Sequence, residues 1–465
     1  MENKGVAVVL AAGEGTRMNS ELPKVCHRCF GEPMIKHVER GLKKSGFSEI
    51  IVVVGSGREQ VESLLAPQVN RAVQEEQLGT GDALRAALEK TDVSEDTPLV
   101  VTCGDVPGVR PRTYNQLLDS FLDSPAELTL LTTEVDDPTG YGRIVTENDS
   151  VIKIVEEKDA TTREKEIKTV NTGIMCGRAG TFRERLPELS ADNAAGEYYL
   201  TDLVELLVDE GRTVDTEVVE DEWEVRGINT RRQLVQFERE GYQKQVERAF
   251  ENGVTVHDPD RVKIGPWVEL EHDVELENEV TLWGETELGR GSRFIGPTFA
   301  YNAKFGEDNF VRRSYVNRAS IGDRVRIGPY CHVRPDSEID SDVRLGNFVE
   351  IKASRIAAAT NVSHLAYVGN AEIGQNSNLG AGTITCNYDG YEKHRTVIGN
   401  DVFIGSNCEL VAPVEVENGA MIGAGSTITE DVSSFSLALS RAKQVTKKDW
   451  VTETWKPRKE EENDP

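Results

Sequence analysis

In its second half the chain places an aliphatic residue at every sixth position, in three long runs. The first comprises Ile264, Leu270, Leu276, Leu282 and Leu288, with Phe294 closing it. The second comprises Ile321, Ile327, Val333, Ile339, Leu345 and Ile351, and the third Ile398, Ile404, Leu410, Val416, Ile422 and Ile428. Gly often follows the aliphatic residue, as in Ile327-Gly328, Leu345-Gly346, Ile404-Gly405 and Ile422-Gly423. A period of six fits neither an amphipathic helix nor an alternating strand. It predicts a parallel β-helix, in which each flat side of a triangular coil turns one aliphatic residue inward per six. No coil can bury its inner face alone, so neighbours must stack into a continuous apolar column.

At 465 residues the chain has length for two or three domains with sizeable cores. No stretch of about 18 apolar residues occurs, which predicts no membrane span. The run from Met1 to Leu10 lacks a signal-peptide pattern. Seven Cys, an odd number without paired-ligand spacing, argue against a disulfide framework and for a reduced, cytoplasmic setting. A net charge of −27 argues against a nucleic-acid partner, and makes local clusters of cations more meaningful.

The first half alternates strand-like and helical segments. Apolar runs at Val6 to Leu10, Ile50 to Val54 and Pro98 to Thr102 end at Gly-containing turns; Met34 to Lys44, Arg58 to Leu65 and Asp82 to Glu89 have helical spacing. This predicts a doubly wound (Rossmann-like) parallel sheet with helices on both faces, with ligands bound at the carboxyl ends of the strands. Residues 230–252, rich in Arg, Glu and Gln, read as a linker helix ending at Gly253. The expected division is therefore residues 1–229, 230–252 and 253–465, with a charged, frayed tail after Trp450.

The loop after the first strand carries Gly13 and Gly15, whose backbone N–H groups can approach an anion, with Arg17 and Lys24 to supply charge. It lacks the Gly-Lys-Ser/Thr of a P-loop, and its spacing is not the dinucleotide fingerprint. The whole string from Leu10 through Pro23-Lys24, with Gly31-Glu-Pro33-Met34, resembles the signature of sugar-1-phosphate nucleotidylyltransferases. Further motifs follow in that family's order: Gln77-Leu-Gly79-Thr80-Gly81, Gly104-Asp105-Val-Pro107, Gly140-Tyr141-Gly142-Arg143, Glu156-Glu-Lys158-Asp159, Asn171-Thr-Gly173, Gly196 to Asp202, and Gly227-Ile-Asn229. With the β-helix added, the chain from Val6 to about Lys443 resembles the family of bacterial bifunctional N-acetylglucosamine-1-phosphate uridylyltransferase/glucosamine-1-phosphate acetyltransferases.

The resemblance implies a left-handed β-helix of hexapeptide repeats and two reactions. The first half would join UTP to N-acetylglucosamine 1-phosphate, releasing pyrophosphate. Asp105 and Asn229 would ligate Mg²⁺, and Arg17 and Lys24 would hold phosphate oxygens. Leu10, Ala11, Ala12, Gly13, Gln74, Gly79 and Thr80 would hold the nucleotide, and Gly140, Glu156 and Asn171 the sugar. Two positions depart from the family: Cys103 stands where Tyr is usual, and Asp82 where His usually follows the Gln-Leu-Gly-Thr-Gly motif.

In the second half, the segment Cys386 to Lys393 interrupts the repeat and is expected to project as a loop; a second break is expected around Ser363 to Gly369. Arg334, Lys352, His364, Tyr367, Asn378, Asn387, Tyr388 and Lys393 lie within a few coils of one another, at spacings that allow convergence. By resemblance this groove transfers acetyl from acetyl-CoA to glucosamine 1-phosphate. His364 would be the base, with Glu350 as its polarising neighbour. Arg334, Lys352 and Lys393 would bind the phosphate, with Tyr367, Asn378 and Tyr388 around the sugar. Asn387 would orient the amine or thioester, and Tyr388, Ser406, Ala424 and Arg441 would meet acetyl-CoA. Family members are homotrimers. The competing reading is a uridylyltransferase whose β-helix serves only as an assembly scaffold.

Overall fold

The structure, a computed structural model, describes residues 5–451. Most of the charged tail after Trp450 lies outside them. The chain forms two compact units, one of Met1–Glu247 with Ile264–Trp267, the other of Arg248–Lys263 with Val268–Pro465. The long helix Arg231–Glu251 spans the change from one to the other.

In the first unit a sheet runs in the order Val214–Val218, Leu128–Glu134, Thr169–Arg178, Pro98–Cys103, Val6–Leu10, Glu49–Val54, Asn70–Val73. Along this path the strands are parallel except Thr169–Arg178, which runs against both neighbours, and the antiparallel hairpin Gly142–Glu147 and Ser150–Val155 joins the sheet through it. The period of two divides the sheet between two cores. Val6, Val8, Ile51, Val53, Leu99 and Val101 face the helices Thr80–Leu88 and Leu203–Asp209. Ala7, Val9, Ile50, Val52, Val54 and Val100 face Met34–Ser45 and Pro111–Asp123. Strands covered on both faces read as continuous apolar runs, which is why these segments lack polar alternation.

The second unit is the expected parallel β-helix, left-handed, with three parallel sheets of eleven, ten and nine strands. Each coil contributes one short strand to each sheet. Ile327, Leu345, Val362, Leu379, Ile404 and Ile422 pair in succession down one inner column, each at most 1% exposed. Burial of each such side chain contributes about 1.5–3 kcal/mol before its ordering cost. The coils stack so closely that a Cβ on Gly346 would lie 1.8 Å from the Ser363 carbonyl oxygen, so only Gly fits there.

The coil turns at corners where one residue adopts a left-handed backbone. One corner uses mostly Asp, Asn and Gly: Asp308, Asp342, Asn376, Asp401 and Gly419 are among its members. Those residues tolerate that conformation best. A second corner departs from the rule, with Arg313, Tyr330, Phe348 and Leu365 in the ladder.

The loop after Cys386 projects as expected: Leu379 pairs with Ile404, and Tyr391 is 93% exposed. The break expected at Ser363 to Gly369 is absent. Asn361–His364 and Tyr367–Gly369 continue two of the sheets. The register slips because the inward step from Ile351 to Ile356 is one residue short, and the corner absorbs the difference without releasing a loop.

Candidate functional site

The loops after Val6–Leu10, Asn70–Val73 and Pro98–Cys103 enclose a cleft of about 510 Å³. Leu10, Ala11, Ala12, Gly13, Lys24, Gln74, Gly79, Thr80 and Asp105 line it, as does Cys103. Gly15 has φ +66°, and a Cβ there would meet the Lys24 Cβ at 2.6 Å; the glycine lets Lys24 close over the loop.

Lys24 Nζ forms an ion pair with Asp105 and donates to Asn229 Oδ1 at 3.0 Å. Arg17 Nη2 donates to the same oxygen at 2.8 Å. Asn229 stands beside Asp105 because the Ile228 N–H bonds the Asp105 carbonyl at 3.0 Å. Two hard oxygen donors thus converge on one cation position. Such a pair suits Mg²⁺, which takes few protein ligands and keeps places for water and phosphate. Among the described residues no group of three or more His, Cys, Asp or Glu could hold a metal, so an all-protein cage is not present there.

Gly140, Glu156 and Asn171 are not among the residues lining that cleft. Glu156 accepts from Thr201 Oγ1 at 3.1 Å, and burial raises its carboxyl above the usual range. Asn171 is buried in register with Gly142, its Oδ1 accepting from the Gly173 N–H at 3.1 Å. Gly140 donates its N–H to Glu157 at 3.2 Å. Cys103 reaches toward this group, with Sγ 3.8 Å from the Gly173 carbonyl oxygen. Burial first, then Asp105, pushes its thiol up to about 12, so it stays neutral.

Sequence reasoning gave no role to Glu197, which lines the cleft, or to Asp202, which burial and Glu156 push up to about 6. Both lie in the Gly196 to Asp202 motif, so the signal was present without an assignment. That motif docks on the nucleotide loop: the Gly81 N–H bonds the Tyr198 carbonyl, and the Leu200 N–H bonds Thr80 Oγ1 at 3.0 Å.

On the β-helix, His364 ends a strand at an exposed corner. Its Nδ1 lies 2.5 Å from Asn347 Oδ1, the residue in register one coil earlier. That oxygen can accept only from an Nδ1–H, and the tautomer with that bond leaves the Nε2 lone pair free. Glu350 instead accepts from Arg334 Nη1 at 2.7 Å. Asn347 was missed, although the coil spacing alone pointed to it.

Tyr367 is in register with Glu350, so it stands next to the Arg334–Glu350 pair. The Lys393 ammonium beside Lys352 holds Lys352 below the usual lysine range, and Arg334 adds to the effect. Three cations therefore share one region. Asn378 is half-buried, in register with Asn361. Asn387 is buried and donates to Asn370 Oδ1 at 2.7 Å; Tyr388 is exposed, its hydroxyl bonding the Gly390 carbonyl.

Ser406 and Ala424 occupy the same corner ladder as His364, each just before a left-handed residue (Leu365, Asn407, Gly425). The Gly425 N–H bonds the Ser406 carbonyl at 2.9 Å, and Arg441 Nη1 donates to the Ala424 carbonyl at 2.7 Å. At about 4.8 Å per coil, Ser406 is about 10 Å and Ala424 about 14 Å along the axis from His364. The spacing suits an extended ligand laid along the corner.

A sheet-end nucleotide cleft followed by a hexad-repeat β-helix defines a nucleotidyltransferase joined to a hexapeptide transferase. Residues 7–167 match the MobA-like NTP transferase domain, and 318–353 and 395–430 match the bacterial transferase hexapeptide repeats. The chain is 44% identical over 445 residues to the bifunctional protein GlmU of Carboxydothermus hydrogenoformans, covering 96% of this chain and 99% of that protein. It is 44% identical over 450 residues to GlmU of Caldanaerobacter subterraneus, covering 96% and 98%, and 42% identical over 464 residues to GlmU of Acetivibrio thermocellus, covering 98% and 99%. The chain belongs to the GlmU family of bifunctional proteins. The match spans the β-helix as well as the nucleotide domain, which supports two activities over the scaffold reading.

Proposed function

We propose that the β-helix transfers acetyl from acetyl-CoA to glucosamine 1-phosphate, and that the N-terminal domain then transfers uridylyl from UTP to the resulting N-acetylglucosamine 1-phosphate. The observation that carries this reading is the pairing of two chemically distinct sites in one chain: an oxygen-and-cation cluster at a nucleotide loop, and, on the β-helix, an exposed histidine bonded to Asn347 together with a separate group of three cations.

In acetyl transfer, His364 Nε2 takes a proton from the sugar amine so that its nitrogen can attack the thioester carbonyl; the C–S bond then breaks and the coenzyme leaves as its thiol, taking up that proton. Asn347 holds the ring in the required tautomer. Lys352, Lys393 and Arg334 bind the sugar phosphate, with Glu350 balancing the guanidinium. Tyr367, Asn378 and Tyr388 surround the sugar, Asn387 supports the loop, and Ser406, Ala424 and Arg441 follow the coenzyme along the corner.

In uridylyl transfer, a phosphate oxygen of N-acetylglucosamine 1-phosphate attacks the α-phosphorus of UTP and pyrophosphate leaves in line. Positioning and charge neutralisation supply the rate. Asp105 and Asn229 would hold Mg²⁺, which neutralises phosphate charge when bound. Lys24 and Arg17, released from those oxygens, hold phosphate oxygens instead. Gly13 and the residues before it present backbone to the nucleotide, and Gly140, Glu156 and Asn171 orient the sugar.

Self-association into a trimer is supported by the unusual corner of the β-helix. Tyr330 and Phe348 are stacked at 5.3 Å and, with Leu365, are 52%, 54% and 62% exposed at left-handed φ. Bulky residues in that conformation carry a strain cost, which contact with another copy would offset. No described helix is long and apolar enough to cross a membrane, and the reading places both reactions in the cytoplasm.

The decisive assay supplies glucosamine 1-phosphate, acetyl-CoA, UTP and Mg²⁺, and follows thiol and pyrophosphate separately. Thiol release, with pyrophosphate dependent on it, is expected. Pyrophosphate only when N-acetylglucosamine 1-phosphate is supplied directly would reduce the β-helix to a scaffold.

A further inference from the structure

Gln74 lines the nucleotide cleft and is itself buried, its backbone N–H tied to the Val54 carbonyl at 2.9 Å. Its Nε2 donates to the Gly79 carbonyl oxygen at 3.0 Å and to Asp82 Oδ2 at 2.8 Å. Both partners can only accept, so the two contacts use both N–H bonds of the amide and fix which way it faces. Turning it over would lose both bonds and set oxygen against oxygen. Among the described residues no hydrogen bond reaches Oε1, so Gln74 offers the cleft an acceptor and no donor.

Asp82 is well placed to enforce this. Its side chain is 10% exposed, it is ion-paired with Arg85 one turn on, and it sits in the first turn of the helix Thr80–Leu88. A carboxylate is favoured at that end of a helix. The bond it accepts is also charge-assisted and therefore the stronger of the two.

We propose that Asp82 is a positioning residue that sets base selectivity by locking Gln74 as an acceptor-only reader of the pyrimidine edge. The inference rests on reading this cleft as the uridylyl-transfer site. Uracil carries N–H at N3 and can donate to Oε1. Cytosine in the same pose presents a bare lone pair there and meets the oxygen with repulsion. A site built around one hydrogen bond rejects an analogue that leaves the buried group unpaired far better than it could by shape alone. An amide free to turn over at this place would accept either base.

The test measures kcat/KM for UTP and for CTP, each with N-acetylglucosamine 1-phosphate and Mg²⁺, in the full chain and in Asp82→Ala and Asp82→Asn. The wild-type protein is expected to prefer UTP by about a hundredfold or more. In Asp82→Ala only the Gly79 bond holds the amide, and the UTP:CTP ratio is expected to fall by about tenfold, mainly through faster use of CTP. Asp82→Asn, whose Oδ1 still accepts, should keep a higher ratio than Asp82→Ala. The KM for the sugar phosphate should be the same in all three. A merely structural role would slow both nucleotides together and leave the ratio alone.

An Asp82→Ala ratio within about twofold of wild type, or an Asp82→Asn ratio no higher than that of Asp82→Ala, overturns the lock while leaving uridylyl transfer in place. If turnover of Asp82→Ala is too slow to follow, the difference between the thermal shifts given by saturating UTP and CTP reads the same discrimination. An undiminished difference overturns the proposal. Wild-type protein that uses neither nucleotide overturns the reading of the cleft and this inference with it.

Discussion

The two sites are built by opposite means. In the N-terminal unit, Arg17 and Asn229 are 212 residues apart and Lys24 and Asp105 are 81 apart, yet sheet topology brings all four to one point. On the β-helix, His364, Ser406 and Ala424 come from turns of one corner, with one turn between His364 and Ser406, and the partner of His364 lies 17 residues before it. The electrostatics differ too. Lys24 and Arg17 are satisfied at rest by the oxygens they must release when phosphate and cation arrive. Lys352 and Lys393 repel each other at rest, an effect that Glu350 only partly offsets at Lys352 and that a bound anion would relieve. The first site exchanges one set of charge contacts for another, and the second completes an unbalanced set.

The largest effects should come from breaking each site separately. Asp105→Ala removes the carboxylate that pairs with Lys24; uridylyl transfer should fall about a thousandfold or more, with acetyl transfer unchanged. His364→Ala should do the reverse, with acetyl transfer falling about a hundredfold or more. Thiol release and pyrophosphate release, measured on the same preparations, check both. Loss of both activities in either folded variant would break the claim that the sites act independently.

The next test sharpens the electrostatic half of the comparison. Lys393→Ala should raise the KM for glucosamine 1-phosphate by about tenfold, with a smaller change in kcat. It should also move the Lys352 pKa upward toward its ordinary value, because Lys393 is the main cause of its depression. NMR titration of labelled lysine reads that shift. A Lys352 that titrates as before would show that the two ammonium groups do not share a site.

These contrasts also explain what could be read from the residues alone. A six-residue period is local, so Ile327, Leu345, Ile404 and Ile422 are legible without any structure, whereas Val362 and Leu379 of the same column are out of phase with those runs; the two strand-end motifs locate the nucleotide loop. Asn347 is legible in principle from coil spacing, since it stands one coil before His364 in register, but the sequence reading names only Glu350. The break imagined at Ser363 was a one-residue deletion that a corner absorbs, and a period count cannot tell a shortened coil from a loop. The Gln74–Asp82 contact was out of reach for a different reason. It depends on which way one amide faces, which is set by acceptors on two sides and leaves no trace in spacing.

The smallest effect concerns the acidic side of the first site, and it tests whether that site is as balanced as its cation cluster implies. Burial, followed by the charges of Glu156, Glu205 and Asp159, raises Asp202 to about 6. A carboxyl raised on folding holds a proton that the unfolded chain has already released. Its contribution to stability is therefore complete below the ordinary carboxylate value and is lost as pH rises through about 6. Asp202→Asn removes the ionisation, so its melting temperature relative to wild type should climb between about pH 4 and pH 6 and level off above. Asp202 is only partly buried, and solvent screening limits the gain to about 1–3 °C. A mutant-to-wild-type gap that stays flat with pH would mean that neither burial nor the neighbouring carboxylates raise Asp202. A rising gap would mean that folding raises Asp202 through burial first and the acidic groups around it second, next to the residues expected to meet the sugar.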